Sequence, residues 1–209
     1  MSAGGPGPAL AAELAPHVRD ERVLAAIAAV PRDRFVPAAE QRRAWANEAL
    51  GIGEGQTISQ PLVVARMCEL LALRGDERVL DVGTGSGYHA AVLARLCAHV
   101  FSVEVHATLS AGAAEALREA GIANVTLAVG DGSAGLTEHA PFDAVNVAAA
   151  GPRKRLDRLV EQLADGGRLV APVEARWGEQ RLVTLHRRGD EIERREHERV
   201  RFVPLVGGQ

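Results

Sequence analysis

From residue 78 to the end of the chain, short apolar runs alternate with longer segments in which apolar residues recur at helical spacing. Short runs of aliphatic residues indicate buried strands, and the longer periodic segments indicate amphipathic helices. The predicted strands span residues 78–82, 100–104, 125–129, 142–147, 168–173, 182–187 and 198–203. The predicted helices span residues 89–96, 109–120 and 156–163. This alternation predicts an α/β, Rossmann-like fold with a mostly parallel sheet flanked by helices.

The N-terminal part of the chain has a different pattern. Residues 1–8 are rich in glycine and proline and are predicted to be disordered, whereas 10–30 have apolar residues at helical spacing. Three glycines within 51–55 predict a flexible connection to an apolar helix that starts near Pro61. We predict one domain over 1–209, with a helical N-terminal segment at 9–60 and a Rossmann-like core at 61–209, because one hydrophobic core can serve up to ~250 residues.

Composition limits the possible partners. The formal charge is −3 and aromatic residues make up 3% of the chain, which argues against nucleic acid and anionic membranes as partners. The spacing of Cys68, Cys97 and the histidines suggests no metal site, and both thiols are predicted to be buried and reduced. Without a secretory pattern at the start or a long apolar stretch, the sequence predicts a cytoplasmic enzyme.

The segment 80–88, Leu-Asp-Val-Gly-Thr-Gly-Ser-Gly-Tyr, carries the strongest chemical signal. A strand, a glycine turn and a helix follow in order, so backbone N–H groups face the crevice at the strand ends. Glu104 ends the second strand, where an acid can accept hydrogen bonds from ribose hydroxyls. Asp131 follows the third strand and is placed to meet the exocyclic amine of an adenine. Together these features predict a nucleotide-containing cofactor.

The combination resembles the class I S-adenosylmethionine-dependent methyltransferases, with an NAD or FAD enzyme as the rival interpretation. Within that class, 30–37 (VPRDRFVP), 52–61 (IGEGQTISQP), 130–132 (GDG) and 200–205 (VRFVPL) resemble the protein-L-isoaspartate O-methyltransferases. The likeness covers about residues 20–207 in order. It implies a seven-stranded sheet, S-adenosyl-L-methionine as methyl donor with S-adenosyl-L-homocysteine as product, and methylation of isoaspartyl carboxylates that leads to repair through a succinimide.

The resemblance also implies the site residues. The serine of the Thr-Ile-Ser stretch, Ser59, is implied as the catalytic residue beside the methyl donor. The implied cofactor contacts are Thr57, Ile58, Ser59, Asp81, Gly83, Thr84, Gly85, Ser86, Gly87, Glu104, Val105, Asp131 and Gly132. Read without the resemblance, Ser59 could instead be an N-cap, because it precedes Pro61 and an apolar helix.

The sequence departs from the family pattern on the substrate side. These positions include Leu62, Ala149 and Val206, which we assign to substrate binding, the stretch 45–47 (WAN), and the basic run 153–155 (RKR). The departures leave a second substrate open, namely an aspartate in a ribosomally made peptide, whose ester closes to an aspartimide. A small-molecule O-methyltransferase and a non-enzymatic cofactor-binding module are further alternatives. We expect a monomer that acts on a protein or peptide.

Overall fold

The computed structural model describes residues 5–175 and 178–207, and the structural statements below concern this part of the chain. The helices are α1 (Pro6–Leu14), α2 (Glu21–Ala29), α3 (Pro61–Leu71), α4 (Tyr88–Ala94), α5 (Ala107–Glu119) and α6 (Asp157–Glu161). The strands are β1 (Leu50–Gly53), β2 (Gln56–Ile58), β3 (Arg78–Val82), β4 (His99–Glu104), β5 (Val125–Val129), β6 (Phe142–Val147), β7 (Leu163–Glu174), β8 (Gln180–Arg188) and β9 (Glu191–Val200). None of the described helices has the length and apolar content needed to cross a membrane.

Seven strands form one sheet in the order β5-β4-β3-β6-β7-β8-β9. The five strands β3 to β7 are parallel, β8 is antiparallel to β7, and β9 is antiparallel to β8. The chain proceeds from β3 to one side of the sheet and returns to β6 on the other, which makes the carboxyl end of β3 the switch point where ligands bind in such sheets. The predicted fold class is therefore confirmed.

Each face of the sheet is covered by its own hydrophobic cluster. Successive side chains of a strand point to opposite faces, so Val79 of β3 joins one cluster and Leu80 joins the other. The first cluster contains buried residues of α1 to α5, and the second contains those of α6. Cys68 and Cys97 are free and buried in the first cluster, which confirms the prediction of buried reduced thiols.

The N-terminal elements differ from the sequence predictions. The periodic segment 10–30 forms two helices rather than one, because Pro16 has no N–H with which to continue the hydrogen bonds of α1 and Asp20 starts a new helix by accepting a hydrogen bond from the Arg22 N–H. Residues 6–8, expected to be disordered, are the start of α1, whereas residues 1–4 lie outside the described part. Proline is well tolerated at the first helical position, which explains how α1 can begin at Pro6.

Hairpins account for the other differences. The glycine connection 51–55 forms the hairpin β1–β2, in which Glu54 and Gly55 adopt the positive φ of a tight turn. The last strand begins at Glu191 rather than residue 198, since Arg188 pairs with Glu191 across a tight turn. Its alternating charges hide it from a search for apolar runs.

The helix predicted at 156–163 is shorter, because Leu163 already belongs to β7.

Candidate active site

An open cleft lies at the carboxyl ends of β3 and β4, the place where ligands bind in open α/β sheets. Its walls are the β2–α3 junction, the glycine loop after β3, the end of β4 and the C-terminal segment 203–206. The cleft is lined by these residues predicted from the sequence: Thr57, Ile58, Ser59, Gly83, Thr84, Gly85, Ser86, Glu104, Val105, Gly132, Ala149 and Val206. The structure thus brings predicted residues from six separate parts of the chain together.

Glu104 fastens the glycine loop to the end of β4. Its two carboxylate oxygens accept hydrogen bonds from the Gly85 N–H at 2.8 Å and from the His106 N–H at 3.0 Å. Glu104 is largely buried but lines the cleft. A carboxylate has about four lone-pair sites, so these two bonds leave acceptor capacity for a ligand hydroxyl.

Two glycines are required by packing around the cleft. Gly87 has a φ of +85°, and a Cβ there would lie 3.1 Å from the Cβ of Ala113 in α5. A Cβ at Gly132 would lie 2.7 Å from Cγ1 of Val82. Gly87 does not line the cleft, so its predicted ligand contact is replaced by close contact between α4 and α5.

Asp81 is fully buried beneath the glycine loop and is absent from the cleft lining. Its carboxylate accepts hydrogen bonds from Ser102 Oγ at 2.8 Å and from Asn146 Nδ2 at 2.7 Å. The three residues lie directly opposite one another on β4, β3 and β6. The predicted contact of Asp81 with a cofactor stays a prediction, and in the described structure its carboxylate connects β3 to β4 and β6 beneath the cleft.

The hydrogen bonds of Asp81 continue on both sides into what we call the buried polar chain. On one side, Ser102 Oγ lies 2.6 Å from Thr84 Oγ1 in the glycine loop. On the other, Asn146 Nδ2 lies 3.2 Å from Nδ1 of His89, whose Nε2 lies 3.6 Å from Cys68 Sγ. The buried polar chain thus comprises Cys68, His89, Asn146, Asp81, Ser102 and Thr84. Since Thr84 and His89 both line the cleft, this chain supports the cleft from below.

Burial sets the protonation of the buried polar chain. It raises the pKa of Asp81 to about 6, although the hydrogen bonds from Asn146 and Ser102 act in the opposite direction. It also lowers the pKa of His89 to about 3. His89 is therefore neutral near pH 7, and because Nδ1 faces a donor, the proton lies on Nε2, toward Cys68. His89 is consequently not placed to act as a general base.

Asn47, rather than Ser59, satisfies the start of α3. The N-cap position is Gln60, which makes no side-chain cap bond, and Asn47 Oδ1 accepts from the Leu62 N–H at 3.1 Å. Within the described residues, the Ser59 hydroxyl has no hydrogen-bond partner, and Ser59 is half-buried on the cleft wall. The N-cap alternative for Ser59 is therefore wrong. Within the stretch 45–47, Asn47 thus serves as a long-range cap of α3.

Two further predicted residues lie outside the cleft lining. Asp131 Oδ1 accepts from the Ser133 N–H at 2.9 Å and caps a turn. A side chain built at Gly207 would clash with the Asp131 carboxylate, so the C-terminal segment passes close to this exposed acid. Leu62 packs against the first hydrophobic cluster. Contact of Asp131 with the exocyclic amine of an adenine and substrate contact by Leu62 stay predictions.

Two arginines of the basic run 153–155 make contacts within the chain. Arg153 forms an ion pair with Asp157, and Arg155 donates to the carbonyl oxygen of Leu205. None of the three residues lines the cleft. The run therefore gives no support to recognition of an acidic precursor peptide, and one of its arginines instead fixes the C-terminal segment.

Several cleft residues were missed by the sequence analysis. Among them are Gln56, Tyr88, His89, His106, Ala148 and the stretch 203–205. The last lies within the VRFVPL motif, which could have indicated a wall of the site. For His89 the available signal was Asn146, a polar residue in an otherwise apolar strand.

Comparisons with known proteins identify close relatives. A protein-L-isoaspartate O-methyltransferase of Roseiflexus castenholzii is 52% identical over 191 residues, which are 91% of this chain and 87% of the relative. The protein of the same description from Halorhodospira halophila is 52% identical over 193 residues, covering 92% and 87%.

Solved structures agree with this likeness. One described as a protein-L-isoaspartate O-methyltransferase superposes with a TM-score of 0.87 at 26% identity over 96% of this chain, which spans 65% of that chain's length. A Plasmodium falciparum structure, in complex with S-adenosyl-L-homocysteine, has a TM-score of 0.80 at 23% identity, covers 96% and 98%, and shows the common fold. The family model described as protein-L-isoaspartate(D-aspartate) O-methyltransferase matches residues 9–209. This chain therefore belongs to the protein-L-isoaspartate(D-aspartate) O-methyltransferase family.

Proposed function

We propose that this chain transfers a methyl group from S-adenosyl-L-methionine to the free α-carboxylate of isoaspartyl residues in proteins and peptides. The observation that carries the proposal is the position of Ser59, whose unpartnered hydroxyl lies where the glycine-loop cleft meets a second, open groove. A methyl donor in the cleft and a polypeptide in the groove would meet at this serine. Family membership and the curated relatives support the reaction class.

The cleft residues fit the cofactor. Glu104 keeps acceptor capacity for ribose hydroxyls, and the glycine loop brings backbone close to the cleft. Because Gly132 has no side chain, the backbone after β5 can pack closely against Val82 at the edge of the cleft. When bound, S-adenosyl-L-methionine supplies a methyl group on a good leaving group. We assign Thr57, Ile58, Thr84 and Ser86 to its surroundings, with Asp81 supporting the loop from below.

The protein has little proton chemistry to perform. A carboxylic acid with a pKa near ~4 is ionised at neutral pH, so the acceptor is already a nucleophile. The neutral, hydrogen-bonded His89 suits this chemistry, because no base is needed beside the reacting carboxylate. The Ser59 hydroxyl would orient the carboxylate by donating a hydrogen bond, and correct placement can supply a large part of the rate.

The product explains a repair role. Esterification of an isoaspartyl carboxylate makes its carbonyl carbon more electrophilic, so the neighbouring backbone nitrogen attacks it and expels methanol. The resulting succinimide is hydrolysed by water to aspartate or back to isoaspartate. Repeated cycles would restore normal aspartate in aged proteins.

The decisive experiment uses methyl-labelled S-adenosylmethionine and two peptides that differ in one residue, isoaspartate or aspartate. We expect base-labile label on the isoaspartyl peptide alone. Equal labelling of both peptides would contradict the substrate assignment, and no labelling with intact cofactor binding would contradict the activity. The cytoplasmic location and the monomeric state also stay proposals, to be checked by cell fractionation and by light scattering.

A further inference from the structure

We infer that the groove beside the cleft selects polypeptides with acidic side chains next to the target residue, and that Arg199 and Arg201 recognise them. The inference rests on the proposed function and names the substrate preference of the same site. We call this feature the outer groove; it is lined by residues 199–204, by Gln60 and Val63 near the start of α3, and by Thr57, Ser59 and Ala148, which it shares with the cleft.

The outer groove is placed to hold the substrate chain. It is open to solvent and lies directly beside the cleft. Because Ser59 belongs to both spaces, a polypeptide that presents its carboxylate at Ser59 must leave the cleft through the outer groove. The residues on either side of the target therefore lie against the groove walls.

The charge of the outer groove has one sign. Among the described residues that line it, the charged ones are Arg199 and Arg201, and the others are apolar or neutral. The nearest acid along β9, Glu198, is held by Arg66 at 2.9 Å and is not part of the lining. A row of two cations without an acid in the lining complements an anionic segment and disfavours a cationic one.

Both arginines can bind a substrate carboxylate. Arg201 is exposed and makes no ion pair within the described part of the chain. Arg199 pairs with Glu179 at 3.2 Å, but both side chains are largely exposed. Such surface pairs are weak, so a substrate carboxylate can replace Glu179 with little loss. The planar guanidinium group favours two-point contact with carboxylates.

The backbone that carries Arg201 is fixed. Gln180 bonds both backbone groups of Phe202, accepting from its N–H at 2.6 Å and donating to its carbonyl at 3.2 Å. The Ala150 N–H donates to the Val203 carbonyl at 2.8 Å, and the Ala150 carbonyl accepts from the Leu205 N–H at 2.7 Å. The backbone on either side of Arg201 is therefore already ordered before a peptide binds, which lowers the cost of binding.

The test uses three isoaspartyl peptides that carry glutamate, glutamine or lysine on both sides of the target. For the unaltered protein we expect kcat/KM to fall in this order, with glutamate about tenfold above lysine at low salt, mainly through KM. Because exposed charges are screened over ~8 Å at physiological ionic strength, the ratio should shrink as salt is added. Arg201→Gln should reduce the ratio to about threefold or less, and Arg201→Lys should restore it.

Arg194→Gln is the matched control, since Arg194 lies on β9 outside the outer groove and is exposed; its ratio should equal that of the unaltered protein. Equal kcat/KM for all three peptides, or the same ratio after Arg201→Gln, would overturn the inference. A parallel binding assay with fluorescent, aspartate-containing versions of the glutamate and lysine peptides separates the two proposals. If no peptide is methylated but Arg201→Gln still weakens binding of the glutamate peptide, the proposed function fails and the groove assignment stands.

Discussion

The floor and the outer wall of the cleft are built in opposite ways. In the floor, the polar atoms of the buried polar chain are bonded to one another, apart from Asn146 Oδ1, which has no partner. On the wall, the Ser59 hydroxyl and the Arg201 guanidinium make no bond within the described residues. Buried polar groups need hydrogen-bond partners within the protein, whereas exposed polar groups remain available to bind a ligand. The floor is thus suited to holding a shape, and the wall to binding a substrate.

The largest expected effect is a loss of stability when the buried polar chain in the floor is interrupted. Asn146→Leu removes the donor to Asp81 and to His89 in a fully buried place. Leaving buried partners unsatisfied costs ~1–3 kcal/mol each, more for charged groups, so we expect a loss of about 3 kcal/mol in the free energy of unfolding. Urea denaturation at pH 7 measures it.

A double variant sharpens this result. The double variant combines His89→Leu with Asn146→Leu. Its loss in the free energy of unfolding should be smaller than the sum of the two single-variant losses, because the residues share a hydrogen bond. Strict additivity, or a single-variant loss well below ~1 kcal/mol, would show that the chain does not stabilise the floor.

The second effect concerns the wall. Ser59→Ala removes a hydroxyl that caps no helix, so we expect unfolding free energy within ~0.5 kcal/mol of the original protein. Loss of carboxylate orientation should lower kcat about tenfold to a hundredfold, with cofactor affinity changed by less than a few-fold. Single-turnover methylation and calorimetric titration measure the two quantities.

Ser110→Ala serves as the control, because Ser110 lies in α5 outside the cleft and its variant should keep the full rate. A Ser59→Ala variant with full activity and reduced stability would reverse the roles assigned to floor and wall.

The third effect uses the pH dependence of the floor. The pKa of His89 falls from 6.5 to about 3 on folding. Below pH 6.5, His89 therefore binds a proton in the unfolded chain but stays neutral in the folded protein. This group therefore costs stability as pH falls, by ~1.4 kcal/mol per pH unit. His89→Gln keeps an acceptor for Asn146 without titrating. As the pH falls from 6 to 4, the free energy of unfolding of His89→Gln should therefore rise relative to that of the original protein by ~1.4 kcal/mol per pH unit.

Asp81 acts in the opposite direction in the same range. Its pKa rises from 3.8 to about 6 on folding, so it contributes stability at low pH that is lost as pH rises through 6. Between pH 4 and 6 the contributions of His89 and Asp81 to the pH dependence of stability should therefore nearly cancel. His17→Gln, at an exposed position, should run parallel to the original protein. A His89→Gln profile without the added slope would mean that His89 is protonated in the folded state.

The smallest expected effect is a loss of stability when Asn47 no longer caps α3. Asn47→Ala removes the acceptor for the Leu62 N–H, and a lost cap costs ~1 kcal/mol. Asn47→Asp keeps an oxygen acceptor and should unfold at nearly the original denaturant concentration. If Asn47→Ala leaves stability unchanged, water must satisfy this N–H equally well.

The sequence predicts most of the floor and less of the wall. The parallel strands and the glycine loop follow from apolar runs and local turn chemistry, which depend on neighbouring residues. By contrast, β1, β2 and β9 carry glycines or alternating charges, and pairing with partner strands holds them in place. The burial of Asp81 depends on β4 and β6, so the sequence places it in the ligand site although it lies beneath.

The cap of α3 shows the same limit. Local sequence favours Ser59, because caps usually come from adjacent residues, but Asn47 reaches the helix from an earlier loop. Arg32 holds that loop through bonds to the carbonyls of Ala44 and Glu48 at 2.9 and 3.1 Å. Such tertiary arrangements have no short-range signature in one sequence.

The shared boundary of cleft and outer groove also bears on protein synthesis. Thr57 and Ser59 come early in the chain, whereas Val203 and Pro204 come near its described end. A chain still emerging from the ribosome can form the glycine loop and its strands well before segment 202–205 docks beside Ala150. Because this segment lines the cleft as well as the outer groove, neither space is complete until it has docked. An unfinished copy therefore lacks a wall of both.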